Sequence, residues 1–308
     1  MIRPTHCTLF GLSVSSELPL PGLQTLDPHA ERVTICFGAL EPLGCPAWLT
    51  EDGAIQLEVA GVARYRITRG REIVIDPAPG ASERNLRVFL LGSAFGALLH
   101  QRGLLPLHAN AIEIGGKAVA FLGRSGAGKS TLAAWFRDRG HPVLCDDVCA
   151  VRLDASGAAM AYPGIPRLRL WRDAIESSGR SADAYDRSFD GQDKFDVPVE
   201  AIDARPRLLA ACYLLSEAGE GEAGAIRRLQ GVAAVEALVA NTYRGRLVRM
   251  LDTSRSHLAV CVGVVARTPV LAAERRWGRD CFDREAEALE AHAIALASSE
   301  SARAPFAA

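Results

Sequence analysis

No run of about 18 uncharged apolar residues occurs in the 308-residue chain, so nothing in it reads as a membrane-spanning helix. Positive charge is not in excess: the formal net charge is −1, which argues against wholesale nucleic-acid binding. The opening MIRPTHCTLF lacks the basic region, long apolar core and small-residue cleavage site of a signal peptide, so a cytoplasmic location is expected. Cys145 and Cys149 form a C-x3-C pair, but no second pair or His cluster follows at zinc-finger spacing. The eight scattered cysteines therefore read as buried, reduced thiols. No internal repeat is present. What remains is ordinary globular composition, 49% apolar, long enough for one large domain or two modest ones.

The chain changes character near residue 80. Before it, HCTLFGLSV, RVTICFG, AIQLEVA, ARYRITR and REIVID are short β-branched runs separated by turn residues, which predicts a small, mainly antiparallel β module over 1–80. Three prolines in SELPLPGLQTLDPHA (16–30) make that stretch a loop or an edge. Ser82 has the position of an N-cap, and the apolar spacing of 84–103, closed by Gly103, predicts one connecting helix over 81–103 packed between two halves. From 104 to 299, LHANAIEI, KAVAFLG, HPVLCDD, VCAVRL and LLAACYLL alternate with helical stretches, the grammar of an α/β domain with a mixed or parallel sheet. Residues 300–308 read as a frayed tail.

Residues 123–130, GRSGAGKS, satisfy G-x-x-x-x-G-K-[ST]. Glycines allow successive backbone N–H groups to converge on phosphate oxygens without a Cβ in the way. A helix opening near Gly128 adds its positive N-terminal end. Gly123, Ser125, Gly126, Ala127, Gly128, Lys129, Ser130 and Thr131 are therefore the expected ATP-binding positions, with Lys129 on the β/γ-phosphates and Ser130 on Mg²⁺. The apolar strand KAVAFL before the motif and the amphipathic STLAAWFRDRG after it supply the strand–loop–helix context.

A P-loop specifies a nucleotide, not a reaction. Asp146 and Asp147 end an apolar strand downstream, where a carboxylate beside a P-loop holds Mg²⁺ directly or through water. Two adjacent carboxylates allow one to hold metal and the other to accept a proton. His108 lies in L-H-A-N-A on the strand before the P-loop strand. On its own it reads as either a satisfied core residue or a catalytic one.

Taken together, LHANAIEIGGKAVAFLGRSGAGKSTLAAWFRDRGHPVLCDD resembles the core of the HPr serine kinase/phosphorylase family. The matching positions are His108, the GxSGxGKS loop, Arg139-Gly140-His141 and the Asp146-Asp147 pair, with His108 21 residues before Lys129 and Asp146 17 after it. The resemblance implies a P-loop mixed-sheet kinase domain with Lys129 on the phosphates and Asp146 as the base for an acceptor serine. It places His108 beside that base and Asp147 at the metal. KFDVPV followed by Arg205 and Arg207 resembles a further family segment, implying that Lys194, Arg205 and Arg207 face the phosphates or the substrate; ordinary surface charge is the other reading. The chain departs from the family pattern at the E-x-R-G-x-G signature, where it reads AYPGIPRLRLW, and in residues 1–80. FGLSVSSELPLPGL and YPGIPRLRLW resemble a branch associated with ribosomally made peptides, notably lasso-peptide precursors, in which a precursor serine is phosphorylated. That branch implies a peptide or protein partner held by the β module, by strand addition for example; the family's hexamers make a homo-oligomer an expectation too.

Two other readings stay open. One is a nucleotide-gated regulatory or binding protein that uses Asp146 and Asp147 only for metal. The other is a small-metabolite kinase, which a separate β module disfavours. Arg124 within the loop reads as solvent-facing, and Tyr162, Trp171 and Trp277 as packing aromatics rather than base-stacking ones.

Overall fold

In the computed structural model the chain is described over residues 4–20, 30–45, 47–49, 52–219, 224–276 and 278–298. Trp277, the 300–308 tail, 21–29 of the proline-rich stretch and 220–223 of the run EAGEGEAG (217–224) lie outside the described residues. Among the described residues no helix is long and apolar enough to cross a membrane.

The first sheet has seven strands: β1 (Thr5–Leu9), β2 (Leu12–Ser16), β3 (Arg32–Phe37), β4 (Ala47–Leu49), β5 (Ile55–Val59), β6 (Ala63–Thr68) and β7 (Glu72–Pro77). Their order is β1-β2-β3-β7-β6-β5-β4, with β2–β3 and β3–β7 parallel and the other pairs antiparallel. The run HCTLFGLSV is broken into a hairpin because Phe10 (φ 53°) and Gly11 (φ 72°) both take left-handed backbone. Two such residues make the tight turn whose twist suits adjoining strands.

Ser82 accepts a hydrogen bond from the Asn85 N–H (3.3 Å) and opens α1 (Glu83–Phe89). A π-helical turn, Leu90–Ala94, then leads into α2 (Phe95–Gln101). The expected single helix is thus interrupted, and Tyr243 packs against it there. A Cβ at Gly92 would stand 3.0 Å from its hydroxyl, and one at Gly96 2.9 Å from its ring. The two glycines leave room for that close neighbour. Leu86, Leu90, Leu91, Phe95 and Leu98 share one core with β1–β7 and also with Val148, Ala150 and Leu247 from later in the chain. The first sheet does not own a closed core.

The second sheet has nine strands: β8 (Leu105–Leu107), β9 (Ala109–Ile114), β10 (Lys117–Leu122), β11 (Val143–Cys145), β12 (Cys149–Leu153), β13 (Ala159–Tyr162), then β17 (Arg207–Glu217), β18 (Ala225–Arg228) and β19 (Val270–Arg275). A third sheet, order β14-β16-β15, is antiparallel: β14 (Arg167–Trp171), β15 (Asp186–Arg187) and β16 (Lys194–Pro198). The helices are α3 (Lys129–Asp138), α4 (Arg172–Ser177), α5 (Gly231–Ala240), α6 (Arg246–Met250), α7 (Ser254–Arg267) and α8 (Arg279–Ser298). The architecture is mixed α/β. Strand β10 lies antiparallel to β9 and parallel to β17, and β19 continues parallel to β17. Ala118 to Leu122 are buried throughout, the composition a central strand covered on both faces requires.

Candidate active site

Strand β10 delivers the chain to Gly123, where only glycine fits. Its φ is 145°, and a Cβ there would stand 2.9 Å from the Leu215 carbonyl of β17. The Gly123 N–H donates to Asn241 Oδ1 (3.1 Å), just beyond α5, and Arg275 Nη2 donates to the Ala127 carbonyl (2.9 Å). The end of α5 and strand β19 thus fix the loop from two sides. Gly126 (φ 88°) and Gly128 (φ 72°) turn it into α3, whose N-cap, Gly128, has no side-chain hydrogen bond. The first N–H groups of a helix have no partner within it, so this end presents uncapped donors and positive partial charge. Ser125 and Gly126 are exposed and Ala127, Gly128, Ser130 and Thr131 half-buried, while Arg124 is exposed.

Lys129 is buried, 6% exposed. Its ammonium donates to the carbonyls of Gly123 (2.7 Å) and Arg124 (3.1 Å) and to His108 Nε2 (3.2 Å). An ammonium has three donors and no acceptor, so Nε2 of His108 must be the bare nitrogen. The proton then sits on Nδ1, which donates to the Asp147 carbonyl (3.1 Å). Burial first, and the Lys129 charge second, pull the His108 pKa below its ordinary value. His108 occupies the break between β8, which pairs with β12, and β9, which pairs with β10 and β11; it is a corner residue rather than a mid-strand one.

Asp146 follows β11. Its Oδ1 accepts from Asn110 Nδ2 (2.6 Å) and Ser130 Oγ (3.2 Å), and its Oδ2 from the Arg169 N–H (2.6 Å). Burial, and next the charge of Asp147, push its pKa up to about 6. Asp147 takes left-handed backbone (φ 65°) and pairs with Arg169 Nη1 (2.8 Å). Burial acts upward on it too, but the charges of Arg169 and Lys194 outweigh that and hold its pKa below the usual carboxylate value. Adjacent carboxyls with divided environments are the arrangement in which one titrates near neutrality while the other stays ionised.

The third sheet brings the cations. Leu168, Leu170, Phe195 and Val197 face the core, so strand alternation puts Arg167, Arg169, Lys194 and Asp196 on the opposite face. Lys194 lies near enough for its charge to act on both aspartates and on Lys129. It also stacks over Trp171 (5.8 Å to the ring centre), and Trp171 is 53% exposed, not packed. Arg205 and Arg207 are placed elsewhere, against the expectation that they face the phosphates. Both pair with Asp203, and Arg207 also with Glu113 (2.8 Å). They sit where β17 begins, and β17 runs parallel to β10 with Leu209 beside Ala118. The loop leaves the other end of β10, about 20 Å away at the rise of a strand.

Sequence reasoning passed over Asn110, Arg169, Asn241 and Arg275. Asn110 was visible inside L-H-A-N-A, and the alternation RLRLW against KFDVP signalled a charged face on an otherwise buried ribbon. Asn241 and Arg275 carry no local signal, since each reaches the loop only through the tertiary fold.

No family model matches the chain, and no curated protein matches it. Among solved structures, the HPr(Ser) kinase/phosphatase from Coxiella burnetii is similar over 62% of this chain and 97% of its own, at 15% identity and a TM-score of 0.32. A likeness that loose sets no limit on activity or substrate.

The residues fit a nucleotide with a divalent cation. Ser130 Oγ and Asp146 Oδ1 lie 3.2 Å apart, hard oxygen donors of the kind a divalent cation takes, and Asn110 Oδ1 is buried beside Asp146 with no hydrogen-bond partner among the described residues. An orphaned buried acceptor there is a polar group left for a bound ligand to satisfy. Ser130 with the carboxylates would hold Mg²⁺, whose chemistry is to neutralise charge on the transferring phosphoryl group.

Proposed function

We propose that the protein is an ATP-dependent kinase that transfers the γ-phosphoryl group to a serine hydroxyl of a peptide or protein. The observation that carries the reading is the contact between the loop and the carboxylate pair: Ser130 reaches Asp146, while Lys129 reaches His108, which holds the Asp147 carbonyl. Binding and proton-transfer groups meet at one place.

In this reading the first-turn N–H groups of α3 and Lys129 bind the phosphates, Lys129 exchanging two carbonyl contacts for phosphate oxygens. Asp146, with a pKa pushed up to about 6, accepts the proton of the acceptor hydroxyl as its oxygen attacks phosphorus and ADP departs. Asp147 stays ionised through Arg169, and neutral His108 keeps Lys129 and the Asp147 main chain in register.

The finer proposal is that the acceptor is a ribosomally made precursor peptide of the lasso type. Its support is the sequence resemblance of FGLSVSSELPLPGL and YPGIPRLRLW, together with their contact in space. The Phe10 N–H donates to the Pro163 carbonyl (3.0 Å), and Gly11 lies against the Tyr162 ring.

Incubation with Mg²⁺, ATP and a panel of serine peptides, read by mass spectrometry, tests this. One added phosphate on a peptide is expected. Release of inorganic phosphate alone would favour a nucleotide-gated binding protein, and phosphorylation of added hydroxylated metabolites alone would favour a small-molecule kinase.

A further inference from the structure

The first sheet and α6 do not pack flush. Strand β5, the end of α1, the π-helical turn and the start of α6 leave a groove of about 140 Å³ between them. Its floor is apolar, made by Leu57, Val59, Phe89 and Leu247, while Arg244 and Arg246 are exposed and form its rim. None of its lining residues belongs to the loop 123–130 or to the carboxylate pair, and His108 is not among them either. The groove is therefore separate from the reacting centre.

We propose that this groove is a docking site for an acidic peptide segment, which seats one large aliphatic or aromatic side chain between flanking carboxylates. The inference rests on the phosphotransfer reading only in making that segment part of the acceptor, at a distance from its serine. Three observations carry it. First, the room suits one side chain. An apolar cavity of about 150 Å³ takes up a benzene molecule, and the groove has nearly that volume with an apolar floor.

Second, the charge is one-sided. The run YRGRLVRM (243–250) holds Arg244, Arg246 and Arg249 and no acidic residue. All three are exposed, and none is in an ion pair among the described residues. Arg244 donates to Ser93 Oγ (2.7 Å) and stacks over Tyr243, contacts that hold its guanidinium at the groove without neutralising it. The acidic residue of the lining, Glu58, is already engaged by the Leu43 N–H (3.0 Å) and by Arg64 (3.7 Å). Unpaired cations above an apolar floor select carboxylates beside an apolar side chain.

Third, Tyr243 links the groove to the site. The Arg244 guanidinium lies 5.5 Å from the centre of the Tyr243 ring, which lies 5.9 Å from that of His108. His108 in turn contacts Lys129 and the Asp147 carbonyl. A peptide seated in the groove reaches the reacting centre within a few residues, each adding about 3.3 Å when extended. Through Leu57 and Val59 the first sheet takes a direct share in recognition.

The test reads binding and needs no turnover. Fluorescently labelled glycine-rich peptides carry Asp-Leu-Asp, Asp-Gly-Asp or Lys-Leu-Lys and no serine, and are titrated with the full chain in the absence of nucleotide. The wild-type protein is expected to bind the Asp-Leu-Asp peptide about tenfold or more tighter than either control. Arg246→Glu, at an exposed position, should weaken that peptide about tenfold and improve binding of Lys-Leu-Lys. Val59→Trp, which fills the groove from β5, should erase the advantage of leucine over glycine. No binding to wild type up to about 1 mM, equal binding of the leucine and glycine peptides, or indifference to Arg246→Glu would each overturn the proposal. Adding a serine to the peptide, with Mg²⁺ and ATP, separates the two readings. Binding without phosphorylation supports the groove and removes the kinase reading. Phosphorylation with a KM that Asp-Leu-Asp does not lower keeps the kinase and overturns the docking site.

Discussion

Replacing Asp146 by asparagine should make the protein more stable and remove phosphotransfer. The two shapes are nearly identical, so the question is whether the hydrogen bonds survive. The Arg169 N–H requires an acceptor at the Oδ2 position, which places the new amide nitrogen toward Asn110 and Ser130. Asn110 can turn its unpartnered Oδ1 to accept from that nitrogen, and the Ser130 hydroxyl can do the same. The network therefore closes again. The charge does not, and there the gain lies. Asp146 titrates at about 6 in the folded protein against an ordinary value of 3.8. The folded state thus holds the proton more tightly than the unfolded chain. Stability attributable to this group is highest below pH 3.8, falls as pH rises through the window to about 6, and stays reduced above it. Two pKa units correspond to about 3 kcal/mol at most. Asp146→Asn should recover about 1–3 kcal/mol at pH 8 and nothing at pH 3.5, a rise in Tm of several degrees at the higher pH only. Thermal unfolding of both proteins from pH 3.5 to 8 measures it, and transfer to a serine peptide should fall by roughly 10²-fold or more. A variant less stable than wild type at pH 8, or a stability difference independent of pH, would refute the reasoning.

Three further outcomes follow from the geometry. Lys129→Ala removes the ammonium that the proposed function assigns to the phosphates and should weaken Mg·ATP binding by roughly ten- to a hundredfold in calorimetry, from about 1.5–3 kcal/mol for charged hydrogen bonds. Arg169→Ala leaves Asp147 without its guanidinium and should destabilise by about 1–3 kcal/mol at pH 7. Because Asp147 has a depressed pKa, that loss should be full above the ordinary carboxylate value and vanish as pH falls through the folded value, seen as converging denaturant midpoints. Arg205→Ala alters a side chain 82% exposed at the far end of β17. Its stability should stay within about 0.5 kcal/mol of wild type, and kcat and KM within about twofold.

How much of this was legible beforehand differs by residue. The backbone of the loop 123–130 was legible, because Gly123, Gly126 and Gly128 all take positive φ and the flanking strand and helix are contiguous with it. Asp146 and Asp147 were legible as a pair at a strand end, but their division was not. It arises from Arg169 and Lys194, which reach them from a separate three-stranded sheet. Arg205 and Arg207 were read toward the phosphates on the resemblance of their segment, with surface charge as the other reading; both pair with Asp203, and the parallel register of β10 and β17 puts the start of each strand opposite the loop. The break in the connecting helix was invisible locally. Gly92 and Gly96 look like ordinary helix residues until Tyr243, about 150 positions later, is found against them. Similarly, nothing in the first 80 residues marks the Phe10–Gly11 turn as the place that meets Tyr162 and Pro163.

The most direct test of the central claim is the fate of the γ-phosphoryl group in a single turnover. The protein in excess over γ-labelled ATP, with Mg²⁺ and a serine peptide, should place the label on the peptide serine, and Asp146→Asn should leave it on ATP. Label recovered only as inorganic phosphate, or carried to the peptide equally by Asp146→Asn, would contradict the account.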